Sequence, residues 1–396
     1  MPELTDIIEG FSGPRGWGEG LRRLGLHGIG LEIDTAACRT AKAAGHFTIQ
    51  TDIAAYPTAP FKGRTRKQIW SPPCQAWSRA GKGLGLKDQP LVHQAVEDLA
   101  HGRDTRAALK AACLDERSIL AAEPMRWLYD LRPEWVCMEE VPEVLPLWRQ
   151  YALHLRGWGY SVWTGILNAA DYGVPQTRRR AILIASRIRH ATAPDPTHTK
   201  NPADTLFGPA LPRWVTMAEA LQLTAGSIVN TRGDRKTPGG NEFPADEPSR
   251  ALTGRVRSWT LHTNRNQQPD GSRQTIDPHT QPAPAFTTKA SGQWYLRSNT
   301  QANAAIRSLD EPASTLFFGH RGNAVNWTDG EAKRPIAVEE AAILQSFRPD
   351  YPWQGTKTKQ FEQIGNAVPP LLAAHIIATA EGIPMPDMQP QTATAA

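Results

Sequence analysis

The chain has 396 residues, with Lys+Arg 44 against Asp+Glu 39, a formal net charge of +5 and 40% hydrophobic residues. That size and balance predict two or three domains with sizeable cores. No run approaches the ~18 uncharged apolar residues of a membrane span, and the first residues lack the basic-then-apolar layout of a secretion signal, so a cytoplasmic location without a membrane partner is expected.

Residues 5–186 alternate short apolar or β-branched runs with longer helical segments, the sign of an α/β domain whose parallel sheet is covered by helices. Strands are predicted over 6–11, 28–33, 68–71, 135–139, 161–167 and 181–186, with helices over 16–24 and 105–120. From 187 to 333 the composition turns to Pro, Asn, Thr, Arg and Trp with many turn signals, which predicts a second, smaller domain of loops and short strands. It opens on one helix, 216–223, where Thr216 and Glu219 have capping-box spacing. With Lys+Arg 17 against Asp+Glu 13, this region holds most of the basic excess. Helical patterning returns over 338–347 and 370–379, so residues 334–380 are expected to complete the first domain (1–186), leaving 381–396 as a disordered tail.

The second domain contains a weak internal repeat. Pro248, Pro282 and Pro312 are each followed by an apolar-Thr or apolar-Phe pair and then by Trp259, Trp294 and Trp327. A true repeat means stacked hairpins, whereas coincidence in a Pro/Thr-rich region is the plain alternative.

Four cysteines, Cys38, Cys74, Cys113 and Cys137, stand far apart without a Cys-x-x-Cys pair or a His-x-x-x-His partner, so neither a disulfide framework nor a zinc finger is encoded and no metal is expected. Three of them read as small buried apolar residues. Cys74 differs, because Ser71-Pro72-Pro73-Cys74-Gln75 ends a predicted strand. Two prolines stiffen an exposed turn and present a nucleophilic thiol at the strand's carboxyl end.

The first strand runs into Phe11-Ser12-Gly13-Pro14-Arg15-Gly16-Trp17, and Glu32 follows Gly13 after 19 residues. Glycines that admit a ligand to the backbone, with an acid ~20 residues on for ribose hydroxyls, make a nucleoside-binding βαβ unit. A purely structural turn accounts for these residues equally well. The Gly-x-Gly-x-x-Gly and phosphate-loop patterns are both absent, which favours a ligand without phosphates, S-adenosylmethionine being the obvious one. Asp52, ending a third strand, would accept from the adenine amino group. The strand 135–139 ends in Glu139-Glu140, of which only one can face the cleft. Gln176-Thr177-Arg178-Arg179-Arg180 leads into the last strand with Arg178 and Arg180 on one face.

Together these motifs closely resemble the cytosine-5 DNA methyltransferase family. The resemblance rests on the turn at Phe11–Trp17, Pro-Pro-Cys-Gln at Pro72–Gln75, Glu-x-Val at Glu139–Val141, Gln-x-Arg-x-Arg at Gln176–Arg180 and Gln-x-Gly-Asn-x-Val-Pro at Gln363–Pro369, in the family's order. It covers about 5–186 and 334–379, on both sides of the family's variable target-recognition region. It implies a Rossmann-like doubly wound sheet of the class I methyltransferase kind, S-adenosylmethionine as methyl donor, and double-stranded DNA as partner. Phe11, Ser12, Gly13, Gly16, Trp17, Glu32, Ile33, Asp52, Ile53, Pro73, Asn366, Ala367 and Val368 would hold the cofactor, and Gln75 and Ser78 would meet DNA. Cys74 would add to carbon 6 of a flipped cytosine, Glu139 would bind ring nitrogen 3 and the amine, and Arg180, supported by Arg178, would hold the carbonyl oxygen. Residues 81–85 would form a closing loop. Arg255, Arg257, Arg297 and Arg321, next to the repeat's tryptophans, are the expected readers of sequence.

Three positions depart from the family pattern: Arg15 and Ser71 where glycine is usual, and Glu140 where Asn is usual. Glu140 would disfavour a thiolate unless it points away or is neutral. The alternatives are an RNA cytosine-5 methyltransferase, an inactive DNA-binding homologue that the joint presence of Cys74, Glu139 and Arg180 argues against, and a thiol-dependent dehydrogenase, which lacks its glycine fingerprint. A monomer is expected, linked to a restriction endonuclease by function and not by contact.

Overall fold

The computed structural model describes residues 6–77, 83–202, 211–221 and 337–386, together with short strands at 229–230, 242–243, 295–297, 306–308, 313–314, 326–328 and 333–335. In chain order the first domain runs β1 (Ile7–Gly10), α1 (Gly16–Arg23), β2 (Ile29–Glu32), α2 (Thr35–Ala43), β3 (Thr48–Gln50), β4 (Lys67–Trp70), α3 (Leu84–Ala100), α4 (Arg106–Ala112), α5 (Glu123–Leu131), β5 (Trp135–Glu140), α6 (Leu145–Gly157), β6 (Ser161–Asn168), β7 (Gln176–Thr177) and β8 (Arg179–Ser186). After it come α7 (Met217–Leu221), α8 (Val338–Leu344), α9 (Lys357–Asn366) and α10 (Pro370–Glu381).

The main sheet has the order β3-β2-β1-β4-β5-β8-β6. Its first five strands are parallel and β8 runs antiparallel to both neighbours. The doubly wound α/β expectation therefore holds. Parallel strands need both faces covered, which explains why Trp135-Val136-Cys137-Met138 is apolar throughout and fully buried. One face packs against α3, α5 and α6 through Val92, Val96, Trp127, Leu128, Trp148 and Tyr151. The other packs against α1 and α10, where Trp17 and Leu21 meet Leu372, Ala373, Ile376 and Ile377. The C-terminal helix α10 thus covers a sheet formed by the N-terminal half of the chain.

Arg15, in glycine's usual place, sits at φ 74 in the left-handed region. Its guanidinium is fully buried, 2.8 Å from Glu9 of β1, and donates to Phe47 O (2.7 Å) and Gly28 O (2.9 Å). The side chain therefore ties β1, β2 and the approach to β3 beneath the turn. Burial pushes the Glu9 carboxyl up to about 7, against the pull of Arg15. Arg15→Ala should cost about 3–5 kcal/mol, the usual penalty for stranding one half of a buried pair. The loss should grow with pH. Burial already makes Glu9 bind its proton more tightly in the folded chain than in the unfolded one, and loss of Arg15 raises its folded pKa further, so the extra destabilisation accumulates as pH rises through about 7 and above. Urea midpoints at pH 6 and pH 8 check this; equal losses at both would show that Glu9 is not the group responsible.

Several predicted elements shift. The helix expected over 105–120 is instead α4, an extended break at Cys113 (φ −70°, ψ 144°) and a 3-10 turn, Ser118–Ala122. The cause is Asp88, buried on α3, whose carboxylate accepts from Leu114 N, Asp115 N and Ser118 Oγ at 2.7–3.0 Å and so holds the chain out of helical register. Gly83 and Gly85 do not belong to a free loop: Gly83 (φ 62) precedes α3, and Gly85 N donates to Ala76 O at 2.9 Å inside its first turn. The tail cannot begin at 381, because Glu381 closes α10 and pairs with Lys67 Nζ at 2.7 Å. The capping box of Thr216 and Glu219 forms as expected (2.7 and 3.1 Å) and opens α7.

Of the repeat, Tyr295–Arg297, Ile306–Ser308, Asn326–Thr328 and Lys333–Pro335 build one antiparallel sheet, while Ala313–Ser314 pairs parallel with β7. Trp259, Trp294, Arg255, Arg257 and Arg321 lie outside the described residues, as does Ser78. Arg297 lies on the strand Tyr295–Arg297. No helix among the described residues is long and apolar enough to cross a membrane.

Candidate active site

The carboxyl ends of β1, β2, β4 and β5 converge on one edge of the sheet, as parallel order requires. After β4, Ser71 N reaches Gly10 O (3.4 Å) and Ser71 Oγ accepts from Trp17 Nε1 (2.8 Å). The serine that replaces glycine thereby joins the Pro72-Pro73 turn to α1. Trp77 N then donates to Cys74 O (3.0 Å), closing a turn that leaves Cys74 half-buried and Gln75 exposed.

Four charged side chains face this thiol electrostatically: Glu139 and Glu140 from β5, Arg180 from β8 and Arg178 just before it. Arg180 Nε lies 2.9 Å from Glu139 Oε1, both side chains under a tenth exposed. Arg178 and Arg180 are buried while Arg179 is exposed, the alternation expected of an extended segment. Arg178 Nη1 donates to Gly365 O at 3.0 Å, which ties the arginine motif to α9. Burial and the neighbouring Arg180 push Arg178 down to about 9.

Glu140, expected to point away from the thiol or to be neutral, is a buried residue at the end of β5. It is 1% exposed, and burial with the adjacent Glu139 raises its carboxyl well above the usual carboxylate range. Its Oε2 is engaged by Val141 N. Both acids act electrostatically on Cys74, Glu140 more strongly than Glu139. Burial first and Glu140 second push the Cys74 thiol up to about 12, opposed by Arg180.

The nucleoside cradle lies across β1 and β2. Phe11 (φ 57), Gly13 (φ 50) and Arg15 turn the chain sharply, and Ser12 N donates to Leu31 O (3.1 Å). Glu32 Oε2 accepts from Gly13 N (2.7 Å), and Oε1 from Ile33 N (2.9 Å) and Asp34 N (2.8 Å). Gly16 is obligatory: an added Cβ would sit 2.2 Å from Val368 O, where the Asn366-Ala367-Val368 turn closes on α1. Gln345 fixes that turn: its Nε2 donates to Ala367 O (2.6 Å) while its Oε1 accepts from Gln176 Nε2 (2.8 Å).

The fit to an adenosyl ligand is physical. Gly13 has open space where a side chain would stand, Ser12 Oγ is buried without a protein partner, and Ile33, an apolar side chain beside the Glu32 carboxylate, is 64% exposed. Asp52 is exposed, two residues beyond the end of β3, and its Oδ1 accepts from Ala54 N (3.0 Å). Pro73 is half-buried and Asn366 exposed. Ile53 and Trp17 are core residues, 4% and 2% exposed, and shape the cradle from beneath.

Sequence reasoning missed Glu9 as the partner of Arg15, Gln345, and a buried Glu123 flanked by Arg106 and Arg126. The signal for the last group was an acid, an arginine and a tryptophan at one-turn spacing, Glu123-Pro124-Met125-Arg126-Trp127.

The family model for C-5 cytosine-specific DNA methylase matches residues 106–381. Similar proteins include the type II methyltransferase M1.HphI of Haemophilus parahaemolyticus, 27% identical over 93% of this chain and 84% of that protein. M.Eco47II of Escherichia coli is 25% identical over 92% and 75%. A crystal structure assigned as a DNA modification methyltransferase encoded within an E. coli prophage shares the fold with a TM-score of 0.52 and 17% identity, covering 96% of this chain and 99% of that one.

Proposed function

The chain belongs to the C-5 cytosine-specific DNA methylase family, and from that premise we propose that this DNA cytosine-5 methyltransferase works through a covalent bond between Cys74 and a cytosine flipped out of the duplex. The observation that carries the reading is the convergence of Cys74, Glu139, Arg178 and Arg180 on one sheet edge, with Glu139 and Arg180 already joined at 2.9 Å. S-adenosylmethionine, held by Phe11, Ser12, Gly13, Glu32, Ile33, Asp52 and the Asn366-Ala367-Val368 turn, supplies an electrophilic methyl group when bound.

Carbon 5 of cytosine is a weak nucleophile until carbon 6 carries an electron-rich substituent. Cys74 sulfur adds at carbon 6 as its thiol proton passes to solvent, and Glu139 supplies a proton to ring nitrogen 3 and accepts from the exocyclic amine, so that the electron pair entering the ring is neutralised. Arg180 holds the carbonyl oxygen, and Arg178, anchored on Gly365, keeps a second positive charge beside the thiol. Once carbon 5 carries the methyl group, water takes the carbon 5 proton, the electrons of that bond restore the double bond between carbons 5 and 6, and the bond from carbon 6 to the Cys74 sulfur breaks. Carbon 6 of a stacked base is covered by its neighbours and cannot be reached by a half-buried thiol, so the base must leave the duplex.

Residues 187–333 are the proposed target-recognition domain, with Arg255, Arg257, Arg297 and Arg321 as base or phosphate contacts, and Gln75 and Ser78 at the DNA mouth. The relatives named as type II methyltransferases suggest a role beside a restriction endonuclease in the cytoplasm. Bisulfite sequencing of DNA from cells expressing the protein tests the reading. Protected cytosines in one sequence context are expected, and their absence alongside protected cytosines in RNA would reassign the substrate.

A further inference from the structure

Behind the cofactor cradle lies a charged network that the methylation chemistry does not use. Glu123, the first residue of α5, is 1% exposed. Its Oε1 accepts from Arg126 Nε (2.7 Å) and Trp127 Nε1 (3.1 Å), and its Oε2 is bonded to Arg106 Nη1. The two arginines then reach the loop after β3. Arg126 Nη2 donates to Ile53 O (2.9 Å) and Tyr56 O (3.0 Å), and Arg106 Nη1 to Ala54 O (3.0 Å). Arg106 is itself fixed by Asp104, through Nε to Oδ1 (2.9 Å) and Nη2 to Oδ2 (2.7 Å).

Three carbonyls of one short loop thus accept from two guanidinium groups that share a single buried carboxylate. Such a cluster is costly to bury and is stable only with its bonds satisfied. Packing alone does not call for it, because Phe61, Trp127 and Trp70 already pack at tilted angles with ring centroids 5.5 Å apart. The cluster does fix a backbone whose turn is otherwise closed only by local bonds, Ala55 N and Tyr56 N to Asp52 O at 3.2 and 3.0 Å and Ala54 N to Asp52 Oδ1 at 3.0 Å. The residue at the head of that turn is Asp52.

We propose that Arg106 and Arg126, organised by Glu123, are positioning residues for the adenine end of the cofactor, acting by holding the Asp52 carboxylate where it accepts from the exocyclic amine. This rests on the reading of Asp52 given above. Replacing either arginine by lysine keeps the charge that compensates Glu123 but removes the planar fork that bridges carboxylate and carbonyls. The carboxylate then loses its fixed orientation, and only ligands that depend on it are affected.

The test is calorimetric binding of S-adenosylhomocysteine and of S-inosylhomocysteine, which lacks the amine, to the wild-type chain, Arg126→Lys, Arg106→Lys and Asp52→Ala, with thermal melting of each. Arg126→Lys is expected to bind the adenosyl ligand about tenfold more weakly, the size of one charge-assisted hydrogen bond. Its affinity for the inosyl ligand should stay within about twofold of wild type. In turnover, KM for S-adenosylmethionine should rise while kcat and KM for DNA stay in place. Equal losses for both ligands, or no loss in either lysine variant while Asp52→Ala weakens adenosyl binding, would overturn the positioning role and leave the cofactor reading intact. No adenosyl binding by the wild-type chain would take down the cofactor reading and the positioning role together, and unchanged adenosyl binding in Asp52→Ala would overturn the positioning role by removing Asp52 from the site.

Discussion

Cys74→Ser abolishes DNA methylation, by on the order of 10⁴-fold or more, as loss of a covalent nucleophile does elsewhere, and leaves folding and S-adenosylmethionine binding unchanged. A complex with 5-fluorocytosine DNA that survives denaturation forms only when Cys74 is present, because fluorine at carbon 5 cannot leave as the proton does and the sulfur stays bound. The pH dependence follows from the site. Burial and Glu140 push the thiol up to about 12, against the pull of Arg180. In the free protein the thiolate fraction therefore rises about tenfold per pH unit throughout the neutral and mildly alkaline range. Iodoacetamide labelling of Cys74 should climb accordingly between pH 7 and 10 without levelling. Cys38 and Cys113 are each pushed up to about 11, so the rate is read as the difference between wild type and Cys74→Ser. A plateau near pH 8 would show that Arg178 and Arg180 outweigh burial, and turnover by the serine variant would remove Cys74 from the reaction altogether.

The sheet was legible in the sequence because parallel strands, covered on both faces, carry unbroken apolar runs such as Trp135-Val136-Cys137-Met138. The helices between them were less so. α3 begins in a glycine-rich stretch that reads as loop, and its start is fixed by a tertiary bond from Gly85 N to Ala76 O. The 105–120 segment has helical periodicity but is broken at Cys113 by a carboxylate 26 to 30 residues away, Asp88. The same division holds in the site. Cys74, Glu139, Arg178 and Arg180 stand in short motifs whose residue types carry the chemistry, so local spacing suffices to find them. Their supports do not: the Glu9–Arg15 pair, the Gln176–Gln345–Ala367 chain and the Glu123 network join residues far apart in sequence. Arg15 and Ser71 illustrate the limit. Each departs from glycine in a motif, and only the structure shows that one has Glu9 and the other Trp17 as its partner.

Glu139 and Arg180 present the sharper separation of chemistry from stability. They form an ion pair with both side chains under a tenth exposed, and truncating Arg180 leaves a buried carboxylate uncompensated. Arg180→Ala should therefore cost about 3–5 kcal/mol of folding stability in addition to about 10²–10³-fold in kcat from loss of the donor to the cytosine carbonyl. Glu139→Gln keeps the shape and one hydrogen bond but cannot protonate or balance charge at ring nitrogen 3. It should lower kcat by about 10²–10⁴-fold and raise the Cys74 labelling rate, since a negative charge beside the thiol is gone. Combining Glu139→Gln with Arg180→Met removes both charges and replaces the guanidinium stem with an apolar chain of similar length. Stability should then recover toward wild type, because no unpaired charge remains, while kcat stays as low as in the worse single variant, because residues acting as one unit are not additive. Urea unfolding and single-turnover methylation of the three variants separate the two effects. If the double variant regained activity together with stability, the pair would be a structural bridge across β5 and β8, and the base would have to be held by other groups.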